Sequence, residues 1–106
     1  MRPRRGFSAW HLAAYTRTLG RALADTGVIV TAILPGGFWA PNNSFVRLQE
    51  KDPKILDEWV EKHLPRKKLG EPDEIFPLLF FLASRGATMM AGCCVPIDGG
   101  EGVTYV

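Results

Sequence analysis

The sequence has little of what marks most functional classes outright. Only two of its 106 residues are cysteine, and these are neighbours, Cys93 and Cys94. Adjacent side chains in an extended segment point to opposite faces, so the pair is poorly placed to form a disulfide with itself. No Cys-x-x-Cys or mixed Cys/His spacing is present, and no metal site is expected. No apolar run reaches the roughly 20 residues of a membrane-spanning helix. The basic start, Met1 to Gly6, is not followed by the apolar core of a secretion signal, because His11, Arg17 and Arg21 interrupt the next stretch. Excess charge is also lacking, with a net charge of +2. Its two basic clusters, Arg2, Arg4 and Arg5 and then Arg66, Lys67 and Lys68, read as solvated charge. Without aromatic residues interleaved among them, nucleic-acid binding is not expected. These absences lead to the expectation of a soluble, cytoplasmic chain with no membrane segment and with reduced thiols.

What is present is apolar residues, 46% of the chain, set at regular spacing. From a possible cap at Ser8, the positions Leu12, Tyr15, Leu19, Ala22 and Leu23 recur with helical period and predict a helix to about Asp25, ended by Gly27. Tyr15 falls on the apolar face and reads as core. Val28–Ile33 is short, β-branched and continuously apolar, as a strand buried on both faces would be. Leu34-Pro35-Gly36-Gly37 breaks it and lets the backbone turn and approach a neighbour closely. Pro41, Asn42 and Asn43 disfavour regular structure, and a short helix around Phe45–Glu50 follows. Asp52-Pro53 is an N-cap followed by proline at the first helical position. That helix presents Ile55, Leu56, Trp59, Val60, His63 and Leu64 on one face, carries a Glu58/Lys62 pair, and ends at Pro65. Glu71-Pro72-Asp73-Glu74 starts another helix, with acids at its positive end. The stretch Ile75–Ala83 is apolar nearly all round, so it is either buried on every side or an interface. Cys93–Ile97 reads as a second strand, and Asp98-Gly99-Gly100 as a turn. Gly99, Gly100 and Gly102 follow a strand but open no helix, so they are not a phosphate loop.

These blocks, in this order, resemble the C-terminal portion of a classical short-chain dehydrogenase/reductase. The resemblance lies in Tyr15–Ala24, in Gly27–Gly36, in Leu69-Gly-Glu-Pro-Asp-Glu-Ile75, in Phe80–Ser84 and in Pro96-Ile-Asp-Gly-Gly100. It covers nearly the whole chain from about Ser8 to Gly100. It implies an α/β fold, the C-terminal part of a Rossmann-like doubly wound parallel sheet ordered helix, strand, helical insertion, helix, strand, and incomplete as a sheet. The domain expectation is one partial domain over 1–106, in which residues 38–66 correspond to a substrate lid. The resemblance also implies an oxidoreductase acting on a carbonyl or hydroxyl substrate, with NAD or NADP as cofactor. Pro35, Gly36, Gly37 and Phe38 match the family's nicotinamide-contacting loop, and Ala40 stands where a threonine often follows. Trp39, Phe45 and Trp59 are candidates to line a pocket or simply to pack.

The chemistry that the resemblance implies has no residues to carry it in this chain. The family uses a tyrosine as proton donor and a lysine four residues on that lowers its pKa. An ungapped alignment puts Arg5 and Ala9 there, and one with a short deletion puts Trp10 and Ala14 there. No residue is assigned as catalytic. No glycine-rich pyrophosphate turn occurs, and the residues that choose NAD or NADP would lie with it. His11 and His63 read as surface or core-edge residues, and Asp98 as structural. Two main readings follow, beside a third, a small nucleic-acid binder using the arginine arm, which the mild net charge disfavours. The first is an incomplete dehydrogenase, inactive alone. The second is a non-enzymatic interaction module, assembling with itself or with related dehydrogenases.

Overall fold

The computed structural model describes residues 3–102, with side chains from Trp10 onward. The chain divides into two compact units. The first runs to Leu34 and takes in Leu78–Val95; the second takes in Pro35–Pro77 and resumes at Pro96. Six regular elements run through them. Helix α1 spans Pro3–Leu23, strand β1 Ala32–Pro35, α2 Ser44–Lys51, α3 Pro53–His63, α4 Phe76–Leu82 and β2 Cys94–Ile97. The two strands form one parallel sheet in the order β1-β2, the incomplete Rossmann-type arrangement that the sequence implies.

In the first unit, α1 begins at Pro3, ahead of the expected cap at Ser8, which lies inside the helix with its side chain outside the described residues. Proline is suited to a first turn, where its missing N–H has no helical partner to lose. The helix gives way to a short 3-10 turn at Ala24–Thr26, and Gly27 then takes the left-handed conformation, φ 88°, expected of it. Among the described side chains of α1, the buried positions are Thr16 and Gly20. A Cβ on Gly20 would lie 2.4 Å from the Gly92 nitrogen, so the 91–92 turn packs directly on the helix backbone. Tyr15 is 65% exposed, which corrects its reading as core: the helix turns its small residues, and not Leu12 and Tyr15, toward the rest of the unit.

Strand β1 starts four residues later than the expected Val28. Gly92 donates to the Val30 carbonyl at 2.8 Å, and regular pairing begins only beyond that contact, with Ala32 N–H donating to the Cys93 carbonyl at 2.9 Å. Val28 is exposed and the residues of β1 are half-buried or exposed, so the strand is not covered on both faces by the described residues. Strand β2 begins at Cys94, one residue later than expected. Both thiols are free, and the Cys94 sulfur lies 3.9 Å from the Ala13 carbonyl. Helix α4 leaves Phe76, Leu79, Phe80 and Phe81 exposed, so of the two readings of its all-round apolar character, complete burial does not hold. Pro77 is its second residue, where it removes no intrahelical hydrogen bond.

The second unit holds a core of its own. Leu56, Leu64 and Leu69 are buried together, with Trp39, Phe45, Leu48, Trp59 and Val60 packed against them. The Phe45 and Trp59 rings lie 5.3 Å apart, and Trp59 stacks on His63 at 4.8 Å. Asn43 caps α2, its Oδ1 accepting from Val46 N–H, and Asp52 caps α3 ahead of Pro53. Ile55, expected on the inner face of α3, is exposed. The expected Glu58/Lys62 pair does not form; two exposed long side chains gain too little to hold one geometry. The ion pairs among the described residues are Arg66–Glu74 and Lys67–Glu61.

Candidate functional site

The loop Pro35–Phe38 is the expected cofactor-facing segment, and the second unit fixes it from three directions. Gly36 N–H donates to the Ile97 carbonyl at 3.2 Å. Gly37 N–H donates to a carboxylate oxygen of Glu101 at 2.7 Å. The Gly37 carbonyl accepts from Gly70 N–H and the Gly70 carbonyl from Trp39 N–H, both at 2.9 Å, which makes Phe38 and Gly70 an isolated parallel bridge. The Phe38 carbonyl accepts from the Asn43 side-chain amide. Among the described residues, the Phe38 N–H is the one amide of residues 36–38 with no partner.

Two glycines here are required by space. A Cβ on Gly36 would lie 2.5 Å from the Glu101 carboxylate and 2.9 Å from the Asp98 backbone. A Cβ on Gly70 would lie 2.5 Å from the Phe38 ring, which lies over that residue. Asp98 behaves as the structural residue expected: its two carboxylate oxygens accept from Gly100 N–H and Gly102 N–H, each at 3.0 Å. Gly99 and Gly100 have positive φ, at 61° and 87°. They form the expected turn, which curls back on its own aspartate.

Beside the loop lies a cavity of about 20 Å³, lined in part by Gly37, Phe38, Arg66, Asp98 and Gly99. That volume suits a single water molecule. Arg66 grips Glu74 through two hydrogen bonds, at 2.8 and 3.2 Å. Glu74 also accepts from Glu71 N–H at 2.9 Å. The Arg66 hydrogen bond first, and that backbone amide second, hold the Glu74 carboxyl down to about 2. The same hydrogen bond raises the Arg66 pKa, against a smaller opposing effect of burial. Lys67 reaches the Glu61 carbonyl at 2.7 Å. Arg66 and Lys67 are exposed, as solvated charge is expected to be, and each also pairs with an acid at the surface.

The structure thus brings Pro35, Gly36, Gly37 and Phe38 together with Gly70, Asp98 and Glu101. Arg5 and Ala9, one alignment of the tyrosine and lysine positions, lie on α1 with side chains outside the described residues. Trp10 and Ala14, the other alignment, are exposed on α1. Trp39, Phe45 and Trp59 pack around the leucine core, and Trp39 also lines a groove of about 410 Å³ with Lys67, Lys68 and Glu71. Glu101 is the residue that sequence reasoning missed, since no local pattern connects it to a loop 64 residues away.

A two-stranded parallel sheet with crossover helices, a Pro-Gly-Gly loop at the end of one strand and an Asp-Gly-Gly turn at the end of the other define part of a Rossmann-type α/β protein. Comparison with known proteins agrees. A family model described as enoyl-(acyl carrier protein) reductase matches residues 6–101. The chain belongs to this short-chain dehydrogenase/reductase family and corresponds to its C-terminal portion. It is 37% identical over 82 residues to levodione reductase of Leifsonia aquatica, a match covering 74% of this chain and 30% of the relative. It is 32% identical to a glucose and ribitol dehydrogenase homolog of Oryza sativa subsp. japonica, covering 84% of this chain and 28% of the relative. Among solved structures, 3-oxoacyl (acyl-carrier-protein) reductase from Agrobacterium tumefaciens C58, with NADP bound, matches with TM-score 0.75 and 25% identity, over 83% of this chain and 33% of the other. L-sorbose reductase from Gluconobacter frateurii, complexed with NADPH and L-sorbose, shares the fold with TM-score 0.82 and 24% identity, over 97% of this chain and 41% of the other. The chain therefore spans about a third of the length of the curated relatives it matches. No helix among the described residues is long and apolar enough to cross a membrane.

Proposed function

We propose that this chain supplies the nicotinamide-facing rim and the substrate-lid segment of an NAD(P)-dependent short-chain oxidoreductase, and that the 106 residues alone catalyse no hydride transfer. The observation that carries the reading is the loop Pro35–Phe38, whose amides at 36 and 37 are tied down while that of Phe38 stays free to donate. The residues fit the group: a free backbone donor on a fixed loop suits a carboxamide oxygen, and Gly36 and Gly37 allow close approach of a flat ring. Bound nicotinamide would supply the hydride chemistry. The chain's own part is to bind one edge of the ring, orient it, and shield it from water with residues 38–66.

Holding the cofactor needs more than this rim. Within these 106 residues there is no glycine-rich turn to take a pyrophosphate at a helix N-terminus. There is also no Tyr-x-x-x-Lys, and an arginine at position 5 stays protonated at working pH, so it cannot serve as the proton donor a phenol would be. The test is a fluorescence titration of the chain with NADH and NADPH, followed by a carbonyl panel. The expected result is no saturable micromolar binding and no turnover above buffer. Saturable binding or turnover would refute inactivity of the isolated chain and require a different nucleotide site.

The exposed apolar surface of the first unit favours a second reading, as an assembling module. Phe80 is 75% exposed and Met89 94%, alongside Leu79 and Phe81. Exposed apolar residues on one helix, as Leu79, Phe80 and Phe81 are on α4, favour an association surface. Light scattering at roughly tens of micromolar, a range in which such surfaces associate, is expected to show dimers or larger species, and Phe80→Glu to reduce them. A stable monomer across that range would count against this reading.

A further inference from the structure

We infer that Glu101 is a positioning residue for the nicotinamide-facing loop, setting the backbone of Gly36 and Gly37 from outside the loop; the inference rests on the reading of that loop as a cofactor rim. The geometry is specific. The Glu101 carboxylate accepts from Gly37 N–H at 2.7 Å, a short, charge-assisted bond in a part-buried setting. The same oxygen sits 2.5 Å from where a Gly36 Cβ would be and 3.6 Å from a Gly37 Cβ. Gly36 is therefore kept free of a side chain by this carboxylate together with the Asp98 backbone, while Gly37 is bound to it through its amide.

The turn that delivers Glu101 is fixed in its own right. Asp98 ties down Gly100 N–H and Gly102 N–H on either side of it, and Glu101 N–H donates to the Asp98 carbonyl at 3.0 Å. Asp98 shapes the turn, and Glu101 reaches from it to the loop. With Gly37 N–H bound by Glu101 and Gly36 N–H by Ile97, the Phe38 N–H is left as the loop's outward donor. Without the carboxylate, the Gly37 amide would compete with Phe38 for any acceptor that arrives, and the two glycines would lose their register.

The test uses amide NMR on the whole 106-residue chain with three substitutions. Glu101→Gln keeps an acceptor oxygen at the same reach. Glu101→Asp keeps the charge but withdraws it by one methylene, and Glu101→Ala removes both. The wild-type Gly37 amide proton is expected to resonate downfield and exchange slowly. Exchange at Gly37 should accelerate about tenfold or more in the Ala and Asp variants, the loss of one charge-assisted bond. The Gln variant should restore most of the protection, while the Leu56 region stays unchanged in all three. Nicotinamide mononucleotide at millimolar concentration (roughly the range for contacts of a few kcal/mol) should shift the 36–38 amides in wild type and Gln, and not in Ala or Asp. Unchanged Gly37 exchange in the Ala and Asp variants overturns the latch. An intact latch with no nicotinamide response in wild type overturns the rim reading instead, and reduces Glu101 to a structural contact.

Discussion

The two units of this chain use similar apolar residues to opposite ends. The second gathers Leu56, Leu64 and Leu69 beneath a ring of aromatics, and Leu56 is left 2% exposed. In the first unit, among the described residues, those buried on α1 are Thr16 and Gly20, and the buried hydrophobic residue is Ala87. Trp10, Leu12, Tyr15, Phe80 and Phe81 are exposed, and Leu19, Leu23 and Leu78 are only half-buried. Hydrophobic content does not by itself make a core. What decides is whether the elements that would cover each face are in the same stretch of chain. In the second unit α2, α3 and the 64–70 segment close on one another. In the first, α1 and α4 bring apolar surface and small-residue contacts, and their outer faces remain open.

The sharpest way to break this comparison is to cut one large side chain from each unit. Leu56→Ala should destabilise the second unit by about 2–5 kcal/mol, the range for truncating a leucine in a closed core. Phe80→Ala, on an exposed face, should change folding stability by no more than about 0.5 kcal/mol. Denaturant unfolding followed at low protein concentration measures both, with the second unit read through Trp39 and Trp59 fluorescence. Equal losses from the two substitutions would mean that Phe80 is covered within the chain and that the contrast between the units is false.

A second test asks what does hold the first unit together. If close backbone contact replaces a side-chain core there, then Gly20→Ala should cost about 1–3 kcal/mol, the usual penalty for overpacking. The added methyl would meet the Gly92 nitrogen at 2.4 Å, and backbone cannot step aside as the end of a flexible side chain can. The opposing gain in helix propensity is smaller, at most about 1 kcal/mol. Circular dichroism of α1 during unfolding reads the balance. A stabilised variant would show that the 91–92 turn is not seated on α1.

Much of the fold was legible because it is written locally. Asp52-Pro53, the acids at Glu71–Glu74, Gly27, and the Asp98-Gly99-Gly100 turn each act within a few residues, and each appears where its chemistry requires. The strand break at Pro35-Gly36-Gly37, where β1 ends, was legible for the same reason. What was misread depends on partners distant in sequence. Tyr15 has helical spacing with Leu12 and Leu19, but period gives an apolar stripe and not the identity of what lies over it. The better signal was Thr16 with Gly20, two small residues at i and i+4 that permit close approach. Val28–Ile33 has the composition of a fully buried strand, yet its ladder cannot start until the Gly92 turn has passed. Asn43 disfavours regular structure within an element, but asparagine is also a strong N-cap, and here it caps α2. Glu101 had no local signal at all.

The smallest expected effect separates the units by charge. The ion pairs among the described residues, Arg66–Glu74 and Lys67–Glu61, both belong to the second unit. Glu74 has an ordinary carboxyl value of 4.5 that falls to about 2 in the folded chain, chiefly through the Arg66 hydrogen bond. A depressed folded value means that the unfolded chain binds the proton first as acid is added. The contribution of Glu74 is therefore complete above about 4.5 and is lost as pH falls toward 2. The pair is exposed, so salt should weaken it and its share of stability should be minor. The check is unfolding of wild type and Glu74→Gln at neutral pH and near pH 2, each at low and high salt (Debye length about 10 Å at 0.1 M and 3 Å at 1 M). Wild type should lead the variant at neutral pH and low salt, and the lead should vanish in acid and shrink in salt. The loss should register in Trp39 and Trp59, the reporters of the second unit, and not in Trp10, which lies on α1. A lead that persists at pH 2 would show that Glu74 works through packing and not through its charge.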